Sequence, residues 1–231
     1  MKTDSEIQKD VMDELKWEPL LNYTEIGVAV KNGIVTLSGT IDTFGKKVLA
    51  EKAAKRVAGV KAVAEDIQVK ILTNDKRNDT EIAEAVLNSL KWNYSVKEEK
   101  IKVTVEDGWV TLEGEVEWAF QRNAIRLMIE DLVGVVGISN NIKIMPEYPS
   151  KIISSLSASE VKRKISSAFQ RSATVDSEKI YIGVEGSKVI LAGKVRSYVE
   201  RKDAENAAWL APGVKSVENR LVIDPEIFAM D

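Results

Sequence analysis

The feature that most constrains this chain is an internal threefold repeat, because copies of one pattern must share one fold. Val30-Lys31-Asn32-Gly33-Ile34-Val35-Thr36-Leu37-Ser38-Gly39 returns as Val105-Glu106-Asp107-Gly108-Trp109-Val110-Thr111-Leu112-Glu113-Gly114, and more loosely as Val184-Glu185-Gly186-Ser187-Lys188-Val189-Ile190-Leu191-Ala192-Gly193. Gly59-Val60, Gly134-Val135 and Gly213-Val214 follow the last glycine of each copy at one fixed offset, and Glu6-Ile7, Glu81-Ile82 and Glu160-Val161 precede it at another. Constant offsets confine length variation to the connections. The units run over 1–71, 79–145 and 157–225, joined by short linkers from about Leu72 to Asn78 and from about Met145 to Leu156, the second stiffened by Pro146 and Pro149.

Each copy predicts the same elements. Thr3, Asn78 and Ser157 stand three residues before Glu6, Glu81 and Glu160, the capping-box spacing that starts a helix. Apolar residues then recur every fourth position, at Ile7/Val11/Leu15, Ile82/Val86/Leu90 and Val161/Ile165/Phe169, which makes one buried stripe. Strict alternation follows at Ile26/Val28/Val30, Ile101/Val103/Val105 and Ile180/Ile182/Val184 and marks a strand with one buried face. Asn32-Gly33 and Asp107-Gly108 tolerate positive φ at both central positions and predict tight hairpins, with Gly186-Ser187 a compatible turn in the third copy. Return strands carry Val35/Leu37, Val110/Leu112 and Val189/Leu191. Second helices carry Leu49/Ala53/Val57, Ile125/Ile129/Leu132 and Ala204/Ala207/Ala208, ending near Gly59, Gly134 and Gly213. Last strands carry Val63/Ile67/Val69, Ile138/Ile142/Ile144 and Val217/Leu221/Ile223.

The fold class is therefore α+β: three tandem α-β-β-α-β units, each a three-stranded mixed sheet covered on one face by two helices. Gly33, Gly39, Gly59, Gly108, Gly114, Gly134, Gly186, Gly193 and Gly213 hold structural places in turns, strand ends and helix ends. So small a domain buries little surface, and the units are expected to dock.

Composition narrows the chemistry. The 231 residues contain 44% hydrophobic and 30% charged side chains, which excludes wholesale disorder. With Cys 0 and His 0, the chain lacks disulfides, thiolate nucleophiles and the commonest general base and metal ligand, so no enzyme, no catalytic or metal residues and no cofactor are expected. Acidic neighbours such as Glu98-Glu99 and Asp13-Glu14 do not face a common substrate. A net charge of −3 gives no global attraction to nucleic acid. No glycine-rich phosphate loop is present, and Gly134-Val135-Val136-Gly137 runs from a helix end into a strand rather than joining helices as an RNA-binding GXXG loop does. No transmembrane stretch or apolar leader is read, and a cytoplasmic location is expected.

The paired landmarks carry a family resemblance. Gly33-Ile34-Val35-Thr36-Leu37-Ser38-Gly39 followed by Gly59-Val60-Lys61-Ala62-Val63-Ala64-Glu65-Asp66-Ile67-Gln68-Val69, matched at Gly114/Gly134 and Gly193/Gly213, resembles the BON domain, named for bacterial osmotically induced and nodulation proteins. The third copy departs at its hairpin, where Gly186 takes the Asn/Asp position and Ile190 replaces Thr. The resemblance implies an α+β binding module of bacterial stress proteins, with phospholipid or another apolar ligand as the usual attachment. It also leaves open a second role, a cytoplasmic sensor of a small ligand or monovalent cation held between units, since one cytoplasmic relative couples such a domain to potassium.

Candidate binding residues fall mostly in the third unit. Lys162, Arg163, Lys164 and Arg171 make its first helix basic, a surface for an anionic headgroup or a partner protein, or else a solvated face balanced by Glu160. The second helix of the first unit is basic too, at Lys46, Lys47, Lys52, Lys55 and Arg56. Trp109 is expected on the uncovered sheet face, where it can bind a partner or an apolar ligand or else dock between units, and Trp17 and Trp92 can anchor a partner likewise or else pack helix end against loop. Strand parity places Tyr181, Ile190 and Val222 on the uncovered face of the third sheet, where the other units show mainly polar residues. An apolar patch there is expected to be buried by another unit or by a second chain as a homo-oligomer.

Overall fold

A computed structural model describes residues 2–71, 77–93, 97–145 and 157–224. The first unit comprises α1 (Asp4–Trp17), β1 (Ile26–Lys31), β2 (Ile34–Ile41), α2 (Phe44–Arg56) and β3 (Ala62–Val69). The second comprises α3 (Asp79–Lys91), β4 (Ile101–Glu106), β5 (Trp109–Val116), α4 (Ala119–Glu130) and β6 (Gly137–Ile144). The third comprises α5 (Ala158–Arg171), β7 (Ile180–Glu185), β8 (Lys188–Val195), α6 (Tyr198–Trp209) and β9 (Ser216–Ile223). Most of the two linkers, with Pro146 and Pro149, lies outside the described residues.

The three helix starts are built alike: Thr3, Asn78 and Ser157 each accept a hydrogen bond from the backbone N–H three residues on, while Glu6, Glu81 and Glu160 accept from the cap's own N–H. Those bonds hold the Glu6 carboxyl below its ordinary range, chiefly through the Thr3 N–H, and the Glu160 carboxyl likewise through Ser157. The helical stripes are buried as the spacing predicts, with Phe169, Leu15 and Leu90 fully enclosed.

Each sheet has its hairpin return strand in the middle, antiparallel to the first strand and parallel to the last. A parallel neighbour needs a crossover, which α2, α4 and α6 supply. The registers coincide, pairing Val28 with Leu37, Val103 with Leu112 and Ile182 with Leu191. The repeated strand glycine has one cause in all copies: a Cβ on Gly39, Gly114 or Gly193 would lie 2.0, 2.0 or 2.2 Å from the carbonyl oxygen of Glu25, Lys100 or Lys179.

The hairpins show why the third copy departs. Asn32 and Gly33 have φ of 55° and 77°, Asp107 and Gly108 of 49° and 76°, and both N–H groups of each turn donate to a carboxylate from the first helix, Asp4 or Asp79, at 2.7 to 2.9 Å. Those donors hold the Asp4 carboxyl below its ordinary range. The third unit has Ala158 at this place, so its turn lacks the anchor.

A second cross-tie joins the last strand to the crossover helix. Asn140 donates to the Arg122 carbonyl at 3.1 Å and accepts from the Ile142 N–H, and Asn219 does the same with Arg201 and Leu221. The first unit has Glu65 there, facing Lys47 at 3.8 Å. Burial raises the Glu65 carboxyl, with Glu51 adding to the rise and Lys47 and Lys55 opposing it.

The units dock through their crossover helices. Phe44, first in α2, packs against the core of the second unit, and the adjoining Gly45 allows a contact that a Cβ would break, at 1.9 Å from the Asp131 carboxylate. Lys52 bridges to buried Glu130 at 3.1 Å across the same junction. Tyr198, first in α6, packs against the core of the first unit, lies under Lys55 and donates to the Lys61 carbonyl at 2.8 Å. Trp209, last in α6, packs against the cores of the second and third units, with the Arg122 guanidinium 5.4 Å above its ring. Each crossover helix thus sets its beginning against the end of the next, a head-to-tail order that closes a ring and aligns opposite dipole ends. Val48, 3% exposed, belongs to none of the three unit cores, whereas Asn123 and Lys202 at the matching positions are exposed.

This corrects the expectation that the sheet face of the third unit docks on another unit. Tyr181 and Val222 remain 65% and 59% exposed, and Ile190 is half-buried. The reason is that the crossover helices carry the large junction side chains, leaving each sheet's far face outward. Trp109 does not dock between units either. Its ring lies on Gly137, and its Nε1 donates to Ser139 Oγ at 2.9 Å.

Candidate functional site: a cation-rimmed groove on the third unit

In the first and third units the first and second helices lie side by side and leave a groove between their solvent faces. In the third unit this groove holds about 530 Å³, with Ala168, Leu210 and Ala211 forming apolar walls and Arg163, Lys164 and Arg171 forming the rim. Helical spacing explains the arrangement. Val161, Ile165 and Phe169 face the core, so Lys164, Ala168 and Arg171 flank that stripe on the side of α6. Leu210 is the α6 C-cap, left 68% exposed beside them.

The structure divides the cations that the sequence grouped together. Lys162 lies on the opposite flank of α5, its Nζ 5.0 Å from the Tyr181 ring, so it joins the uncovered sheet face rather than the groove. That face also carries an ionic cluster in which Lys188 and Arg220 each bridge to Glu218 at 2.5 Å. Arg220 first and Lys188 second pull the Glu218 carboxyl down to about 2.

Equivalent positions in the first unit give a contrasting groove of about 510 Å³, in which Asp10, Asp13 and Glu14 replace Lys164, Ser167 and Ala168 and Trp17 replaces Arg171. Lys2 is its one lining cation, paired with Asp10 at 2.6 Å. Arg56 stands where Leu210 stands and binds both Glu14 and Glu18. Those carboxylates raise the Arg56 pKa, with Glu18 the larger influence. Arg56 therefore ties the end of α2 to α1 beside the first groove, which stays open to solvent and acidic, while the third groove has no such tie and is apolar at its base. The second unit has Asn88, Ser89 and Asp131 at the matching places.

Trp17 and Trp92 are 85% and 87% exposed, which corrects the expectation that they pack against loops. Both follow the last buried residue of their helix by two positions, which points the indole away from the core. Sequence reasoning missed Leu210 and Ala168, whose only signal was their contrast with Arg56 and Glu14 in the aligned copies.

The buried carboxylates belong to the architecture. Glu200 accepts from the Asp176 and Arg196 N–H groups at 2.7 and 2.8 Å and from the Arg196 guanidinium, holding the loop before α6. Glu130 lies at the junction described above. Among the described residues no cluster of three or more Asp or Glu has the geometry to hold a metal ion.

Comparison with known proteins decides the family. The BON domain model matches three times, over residues 3–71, 78–146 and 157–225. The chain belongs to the BON domain family. It is similar to the osmotically inducible protein Y of Escherichia coli K12, 27% identical over 144 residues that cover 61% of this chain and 72% of that protein. Among solved structures, the C-terminal domain of CdsD, a structural protein of the type III secretion system of Chlamydia trachomatis, aligns over 97% of this chain and 100% of its own at 12% identity. A second CdsD structure aligns over 96% and 95% at 13% identity. Their TM-scores of 0.26 and 0.25 are too low to bear on the arrangement of units. In BON terms, the landmark glycines are the strand-end and helix-end glycines of each domain, and the candidate groove lies between the two helices of the third BON domain.

Proposed function

We propose that this chain is a non-enzymatic binding protein of bacterial stress physiology whose third BON domain engages anionic phospholipid headgroups. The observation that carries this reading is the groove on the third domain, where three cations surround an exposed leucine. A phosphate at the rim would meet Arg163, Lys164 and Arg171 while an acyl carbon rests on Leu210, and cations near an anionic surface contribute about 1 kcal/mol each. No helix among the described residues is long and apolar enough to cross a membrane. The stress setting is supported by the printed name of the Escherichia coli relative.

Co-sedimentation with phosphatidylglycerol vesicles tests the reading. Binding is expected to weaken as salt rises, to be absent on phosphatidylcholine, and to be lost in the Arg163→Glu, Lys164→Glu, Arg171→Glu variant. Equal binding by that variant and the parent chain would overturn it. The rival reading, a monovalent-cation sensor between domains, predicts a potassium-specific rise in melting temperature without lipid. At the junctions Lys52 already pairs with Glu130, and Lys55 and Arg122 lie over Tyr198 and Trp209, so a bound cation would compete with side-chain cations already in place.

A further inference from the structure

The first and third grooves are equivalent in position and opposite in character, and both are open to solvent. The first presents three carboxylates against one ammonium, with the Trp17 indole standing out from its edge at 85% exposure. The third presents three cations and no lining carboxylate around an apolar base that includes Leu210. Within one chain the ring holds these domains together through α2 and α6 by way of Tyr198, and neither groove is covered by that contact.

We infer that the third-domain groove accepts the Trp17 end of α1 from a second copy of this chain. An indole inserted between Leu210 and Ala168 would bury apolar area at both partners and meet the guanidinium of Arg171 or Arg163 face-on. Asp13 and Asp10, on the turns preceding Trp17, would face Lys164 and Arg163. Both grooves lie between first and second helices, so the contact joins unlike surfaces and assembles copies head to tail. A contact limited to one helix end and one groove is small, which makes the assembly weak and salt-dependent.

The second domain provides an internal control. Trp92 is as exposed as Trp17, but Ala85, Asn88 and Ser89 occupy the places of Asp10, Asp13 and Glu14, so this indole has no matching acidic collar. Charge complementarity therefore selects Trp17. The inference does not rest on the lipid reading, although headgroups and a second copy would compete for the same cations.

Sedimentation velocity of the full chain across a concentration series, at low and high salt, tests it. The parent chain should form concentration-dependent oligomers that dissociate in high salt. Trp17→Ala should weaken association about 30-fold, the effect of removing a hot-spot tryptophan, and Trp92→Ala should leave it unchanged. Asp10→Lys with Asp13→Lys should abolish association, as should Lys164→Glu with Arg171→Glu, and all four changes in one chain should restore it. The Trp and Asp positions and the groove cations are solvent-facing side chains, so far-UV circular dichroism should confirm intact folding in each variant. A chain that stays monomeric throughout, or a four-change variant that fails to regain assembly, overturns the inference. Vesicle binding with no self-association would leave the lipid reading standing and this one refuted, whereas a four-change variant that assembles without binding vesicles separates the two in the opposite sense.

Discussion

The first and third domains share a core and differ at its edge. Ile7, Val11 and Leu15 in one and Val161, Ile165 and Phe169 in the other are buried at matching helical positions, yet the groove beside them is acidic in the first, where Arg56 pairs with Glu14 and Glu18, and cation-rimmed around exposed Leu210 in the third. The lesson is that the repeat conserves what packing requires and releases what solvent sees. Activity should then follow the divergent positions, while loss of stability should follow the shared ones.

The largest effects should come from the shared positions. Phe169→Ala should destabilise the third domain by about 3 to 5 kcal/mol in denaturant unfolding, since the ring is fully enclosed. A cost below about 1 kcal/mol would break the equivalence of the cores. Removing the junction should come next. Trp209→Ala should cost about 2 to 3 kcal/mol, less than a core aromatic because the indole is only partly buried, and should give the third domain its own unfolding transition.

Converting one groove into the other sharpens the comparison at the surface. Ala168→Glu with Leu210→Arg should replace the apolar wall of the third groove with the ion pair found in the first, changing stability by less than about 1 kcal/mol while abolishing vesicle binding. Retained binding would place recognition elsewhere.

Glu65 should give the smallest effect. Its raised carboxyl pKa means that the folded state binds the proton more tightly than the unfolded chain does, so this group favours folding below the unfolded value of 4.5 and loses that contribution as pH rises through the raised folded value. Glu65→Asn should remove this slope and supply the tie seen at Asn140 and Asn219, stabilising the first domain by about 0.5 to 1.5 kcal/mol at neutral pH. Urea midpoints of both proteins from pH 4 to 7 should diverge upward.

The architecture was legible because capping boxes, period-four stripes and Asn-Gly turns are local signals written three times. What could not be read was whatever crosses between elements far apart in sequence. Asp4 and Asp79 anchor hairpins more than a helix away, and nothing near them marks that use. The ring junctions were hidden for another reason: Phe44, Ala119 and Tyr198 share one position but differ in size and use, Phe44 packing on the second domain, Tyr198 on the first, and Ala119 within its own core. At the candidate site the cations stood out as charges, while the apolar wall did not, because alanine and leucine on a helix read as core. Lys162 was grouped with its neighbours in sequence although helical rotation carries it to Tyr181.

The central claim is that three copies of one fold have diverged so that binding lies in the third groove. Amide chemical shifts of the full chain, titrated with short-chain phosphatidylglycerol below its micelle concentration, address it directly. The account predicts shifts concentrated at Lys164, Ala168, Arg171 and Leu210 and none at Asp10, Asp13 or Glu14. Shifts of equal size in all three domains, or centred on the second, would contradict it.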